Sequence, residues 1–583
     1  MCRIGFGAGE ARTLAKDVQR RESAPPQEVD LVVLGSGAGG LTAALTAALA
    51  GLRVVVVEHA PVIGGTTARS SGTVWIPDNS YLRAEGVTGD RARAESYLAA
   101  LVGNRGAPAI WQAFLDKGPA MLAELGAEAG IGFRPYMTAP DYRQDHPGAA
   151  PGGRALEPLA FDGRTLGDDF ARLARPLPEL MLFGGMMITR GEALELLRAD
   201  RSPRAFFLGL RLVARYLRDR LRYPRGTRLV LGNALVARLL KALKDRGVPV
   251  LTEAKARNLL KDGGRFWGVE LDIKGASRQI SARRGVVLAG GGFPASPQWR
   301  AAQLPAPVPD HTPAFPGCDG TTLDLARGVG AVLGPRGLDN GLWFPSSLAT
   351  RADGTTAVYP HIVLDRAKPG LIAVNQAGQR FTNEAVSYHE FVRAMYRAHG
   401  DSPAIPAWLI CDRDFIRRYG LGLIRPRTPW LGGYVKRGYL KQGASLAALA
   451  EQIGVPAPAL AATVARFNGF AAKGVDVDFD KGGNPYDRSN GDPAVQPNPC
   501  LGPIARPPFY AVAVLPTPLG TSRGLSADEH ARVLTVAGEP IPGLYVCGND
   551  MQSAFGGEYP GAGGQLGQAM TFGWIAAHHA AAQ

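Results

Sequence analysis

The chain has 583 residues, 46% hydrophobic and 8% aromatic, a length that suits about two globular domains and a composition that excludes disorder. Its 75 glycines and 45 prolines gather in loops such as GSGAGG, AGGGF and GEYPGAGG, not in a periodic tract, which excludes collagen-like and low-complexity architectures. The formal charge of +14 suits an anionic surface or ligand, but no zinc-finger spacing or aromatic-basic motif accompanies it, so no nucleic-acid partner is expected.

An N-terminal extension, residues 1–27, comes first; its start, MCRIGFGAGEARTLAKDVQRR, has no apolar core of a signal peptide. No run in the chain reaches the ~20 apolar residues of a membrane span. Cys2, Cys318, Cys411, Cys500 and Cys547 are scattered and lack metal-ligand spacing. They are expected to be reduced, in a cytoplasmic protein without a metal site.

Residues 29–34, VDLVVL, read as a buried parallel strand, and GSGAGG follows at once. Gly35, Gly37 and Gly40 occupy the GxGxxG positions, with Ser36 and Ala38 between them, and LTAALTAALAG supplies a small-residue helix whose N-terminus favours a pyrophosphate. A second strand, RVVVVE, ends on Glu58, at the spacing expected of an acid that accepts a ribose hydroxyl. Strand, loop, helix, strand and acid in this order indicate a dinucleotide site.

The next segment, HAPVIGGTTARSSG, resembles the loop by which fumarate reductase-like flavoproteins follow the pyrophosphate toward the flavin. The resemblance implies that Gly64, Gly65, Thr66 and Thr67 offer amides and hydroxyls to FAD, and that Ser70, Ser71 and Gly72 pass near the isoalloxazine. Succinate-oxidising relatives carry a histidine here that tethers the flavin. TTARSSG has none, so FAD is expected to be non-covalent and a dicarboxylate substrate is disfavoured.

A basic amphipathic insert spans about residues 183–225. Phe206, Leu210, Val213, Leu217 and Leu221 recur at helical spacing, while Arg204, Arg211, Arg215, Arg218 and Arg222 line an opposite stripe, with Arg220 out of pattern. Phe183, Met186, Met187 and Phe207 lie beside it. Such a helix either attaches peripherally to the inner face of an anionic membrane or packs on the cofactor domain or another subunit.

Further on, VPVLTEAKARNLLKDGGRFWGVEL looks like the two-strand element where adenine rests near Ala256, and RRGVVLAGGGF, with Ala289 and Gly290, is a strand and glycine turn. At the far end IPGLYVCGN is a strand leading to Asn549 and Asp550, and GAGGQLGQAMTFGWIAA is a helix that starts near Gln565 and Leu566. In this flavoprotein class that helix points its positive end at the flavin. The fold class is α/β: a Rossmann-type FAD-binding domain, split into residues 28–295 and 520–583, with an inserted α+β catalytic domain at 296–519 and ligand chemistry in the cleft between them.

Three segments in order resemble the 3-ketosteroid Δ1-dehydrogenases: PDYRQDHPGAAPGGRALEP around Tyr142, GQRFTNEAVSYHEF around Tyr388, and GGEYPGAGGQLGQAM around Tyr559 and Gly563. The likeness extends from about residue 28 over nearly the whole chain. It implies 1,2-desaturation of the A ring of a 3-ketosteroid, including sterol-derived 3-ketones, with electrons passing on to an external acceptor. Tyr559 and the Gly563 amide would polarise the 3-keto oxygen, Tyr388 would take the carbon 2 proton, and Tyr142 would relieve Tyr388 of it. With an ordinary tyrosine pKa near 10, Tyr388 would need help from its surroundings.

The alternatives are a 3-keto-5α-steroid 4-dehydrogenase, a fumarate reductase-like enone reductase, and a non-catalytic flavin-binding membrane-associated protein. Tyr136, Tyr434 and Tyr439 read as packing, His389 as structural or surface, and Asp412 and Asp414 as turn or surface carboxylates. A monomer or small homo-oligomer is expected.

Overall fold

The computed structural model describes residues 25–200, 202–362 and 364–583, so Cys2 and most of the N-terminal extension lie outside the described residues. The β-branched run after Glu28 forms the strand Glu28–Leu34, which pairs in parallel with Val54–Val57 on one side and Ala276–Leu288 on the other. The sheet continues to Val250–Leu251 at one edge and through Pro540–Val546 to Arg532–Leu534 at the other. Ala254–Asp262 and Arg265–Ile273 extend it as an antiparallel ribbon on Ala276–Leu288. Strands buried on both faces explain the unbroken apolar runs.

The helix Ala38–Leu49 is rich in alanine and glycine because it meets the terminal helix Gly564–Ala582 backbone to backbone. A Cβ at Gly573 would overlap the carbonyl oxygen of Gly39. These two helices bring the glycine turn and the start of the terminal helix to the same edge of the sheet.

A second, antiparallel sheet runs Thr356–Pro360, Gly341–Thr350, Phe509–Thr521, Ala407–Asp412, Leu371–Val374, with Lys441–Gly443 also paired to Phe509–Thr521. Its strands all lie between residues 341 and 521. The preceding helix Thr321–Gly328 packs instead on Ala254–Asp262 of the first sheet, and Leu333 bridges Leu525.

The insert forms two helices, Arg190–Leu196 and Pro203–Arg220. The longer one buries Ala205, Leu212 and Tyr216, and of these Leu212 and Tyr216 pack with Met186, Leu182, Ile188 and Leu196. Leu212 and Met186 each contribute ~1.5 to 3 kcal/mol on full burial. The stripe read from the sequence does not supply this contact, except for the partly buried Val213: Phe206, Leu210, Leu217 and Leu221 face outward, as do Phe207 and Phe183. Among the described residues no helix is long and apolar enough to cross a membrane. Cys318, Cys411, Cys500 and Cys547 are free and buried.

Candidate active site

A single cavity is lined both by the glycine turn of the first sheet and by tyrosines that pack between the sheets. At the turn, Gly35 has φ +112°, and a Cβ there would overlap the Ala289 carbonyl; a Cβ at Gly40 would overlap that of Gly35. Gly37 has no such neighbour, so its backbone stays open to the cavity. The Ser36 hydroxyl and amide both donate to Glu58 Oε2, at 2.6 and 3.1 Å, and the Ala60 amide donates to Oε1 at 2.9 Å. The acid is thereby pinned at the cavity wall.

The segment after Glu58 is the short helix Gly65–Arg69, not an open loop. Thr67 Oγ1 accepts from the Ala38 amide at 3.0 Å, and Thr66 Oγ1 accepts from the Phe315 amide at 2.9 Å, so both hydroxyls also tie the wall together. Gly65, Ser70, Ser71, Ala256, Ala289, Gly290, Asn549, Gln565 and Leu566 line the cavity beside them.

Three expected residues do not line it. Gly64, at φ +116°, packs against Val236 and donates its amide to Ser36 Oγ at 2.9 Å, so that amide is not offered to the cavity. Gly72, at φ +67°, is pressed against the backbone of Leu231 and Gly232. Asp550 is fully buried and turned away, accepting from the Gly290 and Gly292 amides at 2.6 and 2.7 Å, so it shapes the glycine turn from behind. The sequence reading missed the loop before Thr321–Gly328, where Ala314, Cys318 and Asp319 reach the cavity and Cys318 Sγ lies 3.3 Å from Thr66 Oγ1. The string GCDGTT, a glycine turn before a helix, carries that signal, but it lay in the stretch assigned to substrate.

An open glycine backbone, a helix N-terminus, a pinned acid and the first turn of Gly564–Ala582 together fit a dinucleotide with a pyrophosphate and a ribose. FAD would be held by Gly35, Ser36, Gly37, Ala38 and Glu58 on one side and by Gln565 and Leu566 on the other.

The tyrosines come from distant elements. Tyr388 opens the helix Tyr388–Asp401, capped by Ser387. Tyr142 follows Asp141, which accepts from Trp75 Nε1 at 2.8 Å and Arg154 Nη1 at 2.6 Å, and the Tyr142 amide donates to the Pro560 carbonyl at 3.0 Å. Tyr559 lies on a glycine loop held by Arg393, which donates to Glu558 at 2.6 Å and to the Gly557 carbonyl at 2.8 Å.

Tyr142 donates its hydroxyl to that of Tyr388 at 2.8 Å, and the Tyr559 ring lies 5.4 Å from Tyr142 and 5.7 Å from Tyr388 between centroids. Gly563, at φ +96°, caps the terminal helix, and among the described residues no acceptor takes its amide. Two aromatic neighbours were missed. Tyr486 stacks edge-on against Tyr142 at 5.1 Å and Phe344 against Tyr388 at 4.6 Å; nothing local in NPYDRSN or LWFPSS marks either.

Burial pushes these hydroxyls up: Tyr142 and Tyr388 well above the usual tyrosine range, Tyr559 and Tyr486 to about 12. For Tyr388 the neighbouring Tyr142 and Tyr559 add to the rise. The surroundings of Tyr388 within the chain therefore do not ease its ionisation, contrary to the sequence reading.

Tyr136 also faces the cavity and does not merely pack, with the Arg190 guanidinium 5.4 Å from its ring centroid. Tyr439 is buried and donates or accepts with Ser347 at 2.8 Å; Tyr434 is half-buried near it. His389 is buried, not surface, with Nε2 3.5 Å from the Asp339 carboxylate. Asp412 caps Arg413–Tyr419, and Asp414 is exposed.

A family model described as an FAD binding domain matches residues 30–566, and fold and cavity together define the chain as an FAD-dependent flavoprotein. A 3-oxosteroid 1-dehydrogenase of Mycobacterium tuberculosis (strain ATCC 25618 / H37Rv) is 38% identical over 570 residues, covering 96% of this chain and 99% of that protein. The chain belongs to the family of that enzyme. A 4-oxocyclohexanecarboxylate 2-dehydrogenase of Sinomonas cyclohexanicum is 37% identical, covering 96% of this chain and 94% of its own. The solved 3-ketosteroid Δ1-dehydrogenase of Sterolibacterium denitrificans, in complex with 1,4-androstadiene-3,17-dione, matches with a TM-score of 0.89 and 39% identity over 95% of this chain and 100% of that one.

Proposed function

We propose that this chain desaturates the A ring of 3-ketosteroids between carbons 1 and 2, turning a 3-oxo-4-ene into a 3-oxo-1,4-diene. The observation that carries the reading is the Tyr142 to Tyr388 hydrogen bond beside Tyr559 and the free Gly563 amide. In this reading the Tyr559 hydroxyl and the Gly563 amide donate to the 3-keto oxygen, which acidifies carbon 2. Tyr388 accepts the carbon 2 proton, and Tyr142 shares it. FAD, bound without a covalent tether, supplies the hydride acceptor for carbon 1, and an external oxidant removes the electrons afterwards.

A steroid suits the wall beyond the tyrosines, where Leu177, Leu180, Met187, Ile188 and Ile362 are apolar. The relative named for 4-oxocyclohexanecarboxylate makes a small anionic ketone the natural comparison, and Arg425 on that wall, which donates to the Glu179 and Met181 carbonyls, keeps its positive charge.

Peripheral attachment to an anionic membrane belongs to the same proposal. Phe183 is 71% exposed, Phe207 63% and Leu221 83%, beside Arg204, Arg211 and Arg218, and this combination of apolar and cationic surface supports interfacial binding.

Anaerobic addition of 4-androstene-3,17-dione to the purified holoenzyme should bleach the yellow flavin and yield a product lighter by two hydrogens. Bleaching by succinate or by a cyclohexanone carboxylate, with no response to steroid, would overturn the reading.

A further inference from the structure

The helical insert reaches the tyrosines through Arg190. This residue opens the helix Arg190–Leu196, whose start is fixed by a reciprocal cap: the Thr189 amide donates to Glu192 at 2.8 Å and the Glu192 amide to Thr189 Oγ1 at 3.2 Å. Arg228 donates to the same glutamate at 2.6 Å. From this anchored position the Arg190 guanidinium lies over Tyr136 and donates from Nη2 to Asn490 Oδ1 at 2.6 Å, while its Nε is buried without an acceptor among the described residues.

Asn490 ends the helix Pro485–Asn490 that carries Tyr486, and donates to the Tyr486 carbonyl at 3.0 Å. Tyr486 stacks on Tyr142, which is bonded to Tyr388. A positive charge, hydrogen-bonded here to a neutral amide, thus stands at the outer end of a file of tyrosines that ends at the base.

Other charged and titratable groups face this file. Tyr559 meets Tyr142 and Tyr388, Asp141 and Arg154 lie behind Tyr142, and His389 and Arg393 follow Tyr388 on its helix. Arg366 and Asp487 act on Tyr486, and Glu157 and Arg134 on Tyr136. Burial dominates at Tyr142 and raises it, whereas Arg190 draws Tyr142 and Tyr486 back down.

We propose that Arg190 is a positioning residue for proton removal, whose fixed charge favours the ionised state of the Tyr142 and Tyr388 pair and so lets the base work at lower pH. The inference rests on Tyr388 being the base of the proposed function. It gives the insert a second task, delivering a cation to the proton path, beside that of its exposed face.

The test is the pH dependence of kcat for steroid oxidation by the holoenzyme, in the wild type and in R190M, R190K and N490D, with Y388F alongside. R190M should move the rising limb to higher pH by about one unit and approach the wild-type rate at high pH, since a nearby opposite charge shifts a titration by this order. R190K should restore most of the shift. N490D, which sets a carboxylate against the guanidinium, should move the limb in the same direction as R190M and decides the matter alone if R190M fails to hold flavin. A wild-type limb in R190M or N490D, an R190K limb displaced as far as that of R190M, or a change confined to KM each overturns the role of Arg190. Substantial activity in Y388F would instead overturn the base on which the inference rests; an inactive Y388F with unshifted limbs in the other variants sinks Arg190 alone.

Discussion

The Tyr142 hydroxyl donates to the Tyr388 hydroxyl at 2.8 Å although 246 positions separate the two residues in sequence. Tyr142 is tied to Pro560 and, through Asp141, to Trp75, whereas Tyr388 opens a helix that packs on the strand Gly341–Thr350 of the second sheet. The bond therefore closes only when the two sheets are docked around the cavity.

Tyr388→Phe removes the hydroxyl that this bond prepares and little packing, so turnover should fall by about 10² to 10⁴ while FAD and steroid still bind. Steady-state rates with flavin absorbance and steroid titration check both halves. Retained activity in Tyr388→Phe, with loss in Tyr136→Phe or Tyr142→Phe, would move the base elsewhere. With Tyr388 as the proposed base, the active form would be the ionised tyrosine, and since burial holds its pKa above the usual range, kcat should rise with pH through neutrality.

Tyr559→Phe should slow the reaction by on the order of 3 kcal/mol, the worth of one oxyanion donor, with the Gly563 amide still donating. Deuterium exchange at carbon 2 of the bound steroid isolates this step from hydride transfer. Exchange at the wild-type rate would mean that other groups hold the ketone.

Glu58→Ala should weaken FAD retention by ~1.5 to 3 kcal/mol, the range of a hydrogen bond to a charged group. Part of the loss would come through Ser36, whose hydroxyl and amide lean on the same carboxylate. Acid precipitation of the wild type should release the flavin to the supernatant, and flavin left in the pellet would contradict a non-covalent cofactor.

Glu384 gives the fold an acid limit. Burial alone would raise its carboxyl, but Arg380 and Lys481 outweigh burial and hold it at about 2. A depressed carboxyl contributes stability that is present above its unfolded pKa near 4.3 and is lost as pH falls through the folded value. Stability should therefore drop steeply from about pH 4.5 downward, and Glu384→Gln, which leaves Lys481 without its carboxylate and Arg380 with Asp476 alone, should cost about 3 to 5 kcal/mol at neutral pH. An unchanged melting temperature in that variant would rule out the network as a support.

The insert should carry the protein onto anionic vesicles. Each arginine near the surface contributes ~1 kcal/mol that salt screens, while the apolar part persists, so binding weakens with salt without vanishing. Replacing Phe206 and Phe207 with serine should leave the flavin bound and the protein unfloated in a liposome gradient. Wild-type protein that stays unbound at low salt would make the outward face a subunit contact instead.

The elements around the glycine turn were legible because their causes are local. Alternating backbone demands at Gly35, Gly37 and Gly40, the β-branched run before them and the acid after Val57 act over a few residues, and neighbouring side chains suffice to specify them. The direction in which a side chain points across the fold has no such local cause. Asp550 sits in the right segment, but the Gly290 and Gly292 amides draw its carboxylate away from the cavity. Helical periodicity in Pro203–Arg220 announced an apolar stripe without saying which stripe would be covered. Packing chose Leu212 and Tyr216, because Met186 and Leu196 are brought beneath them, and left Phe206 and Leu210 outside. The sequence by itself determined the fold of the cofactor sheet and the residue types of its site; only the tertiary structure decided that Tyr486 and Arg190 join the tyrosines, since contacts between distant segments depend on how whole surfaces fit together.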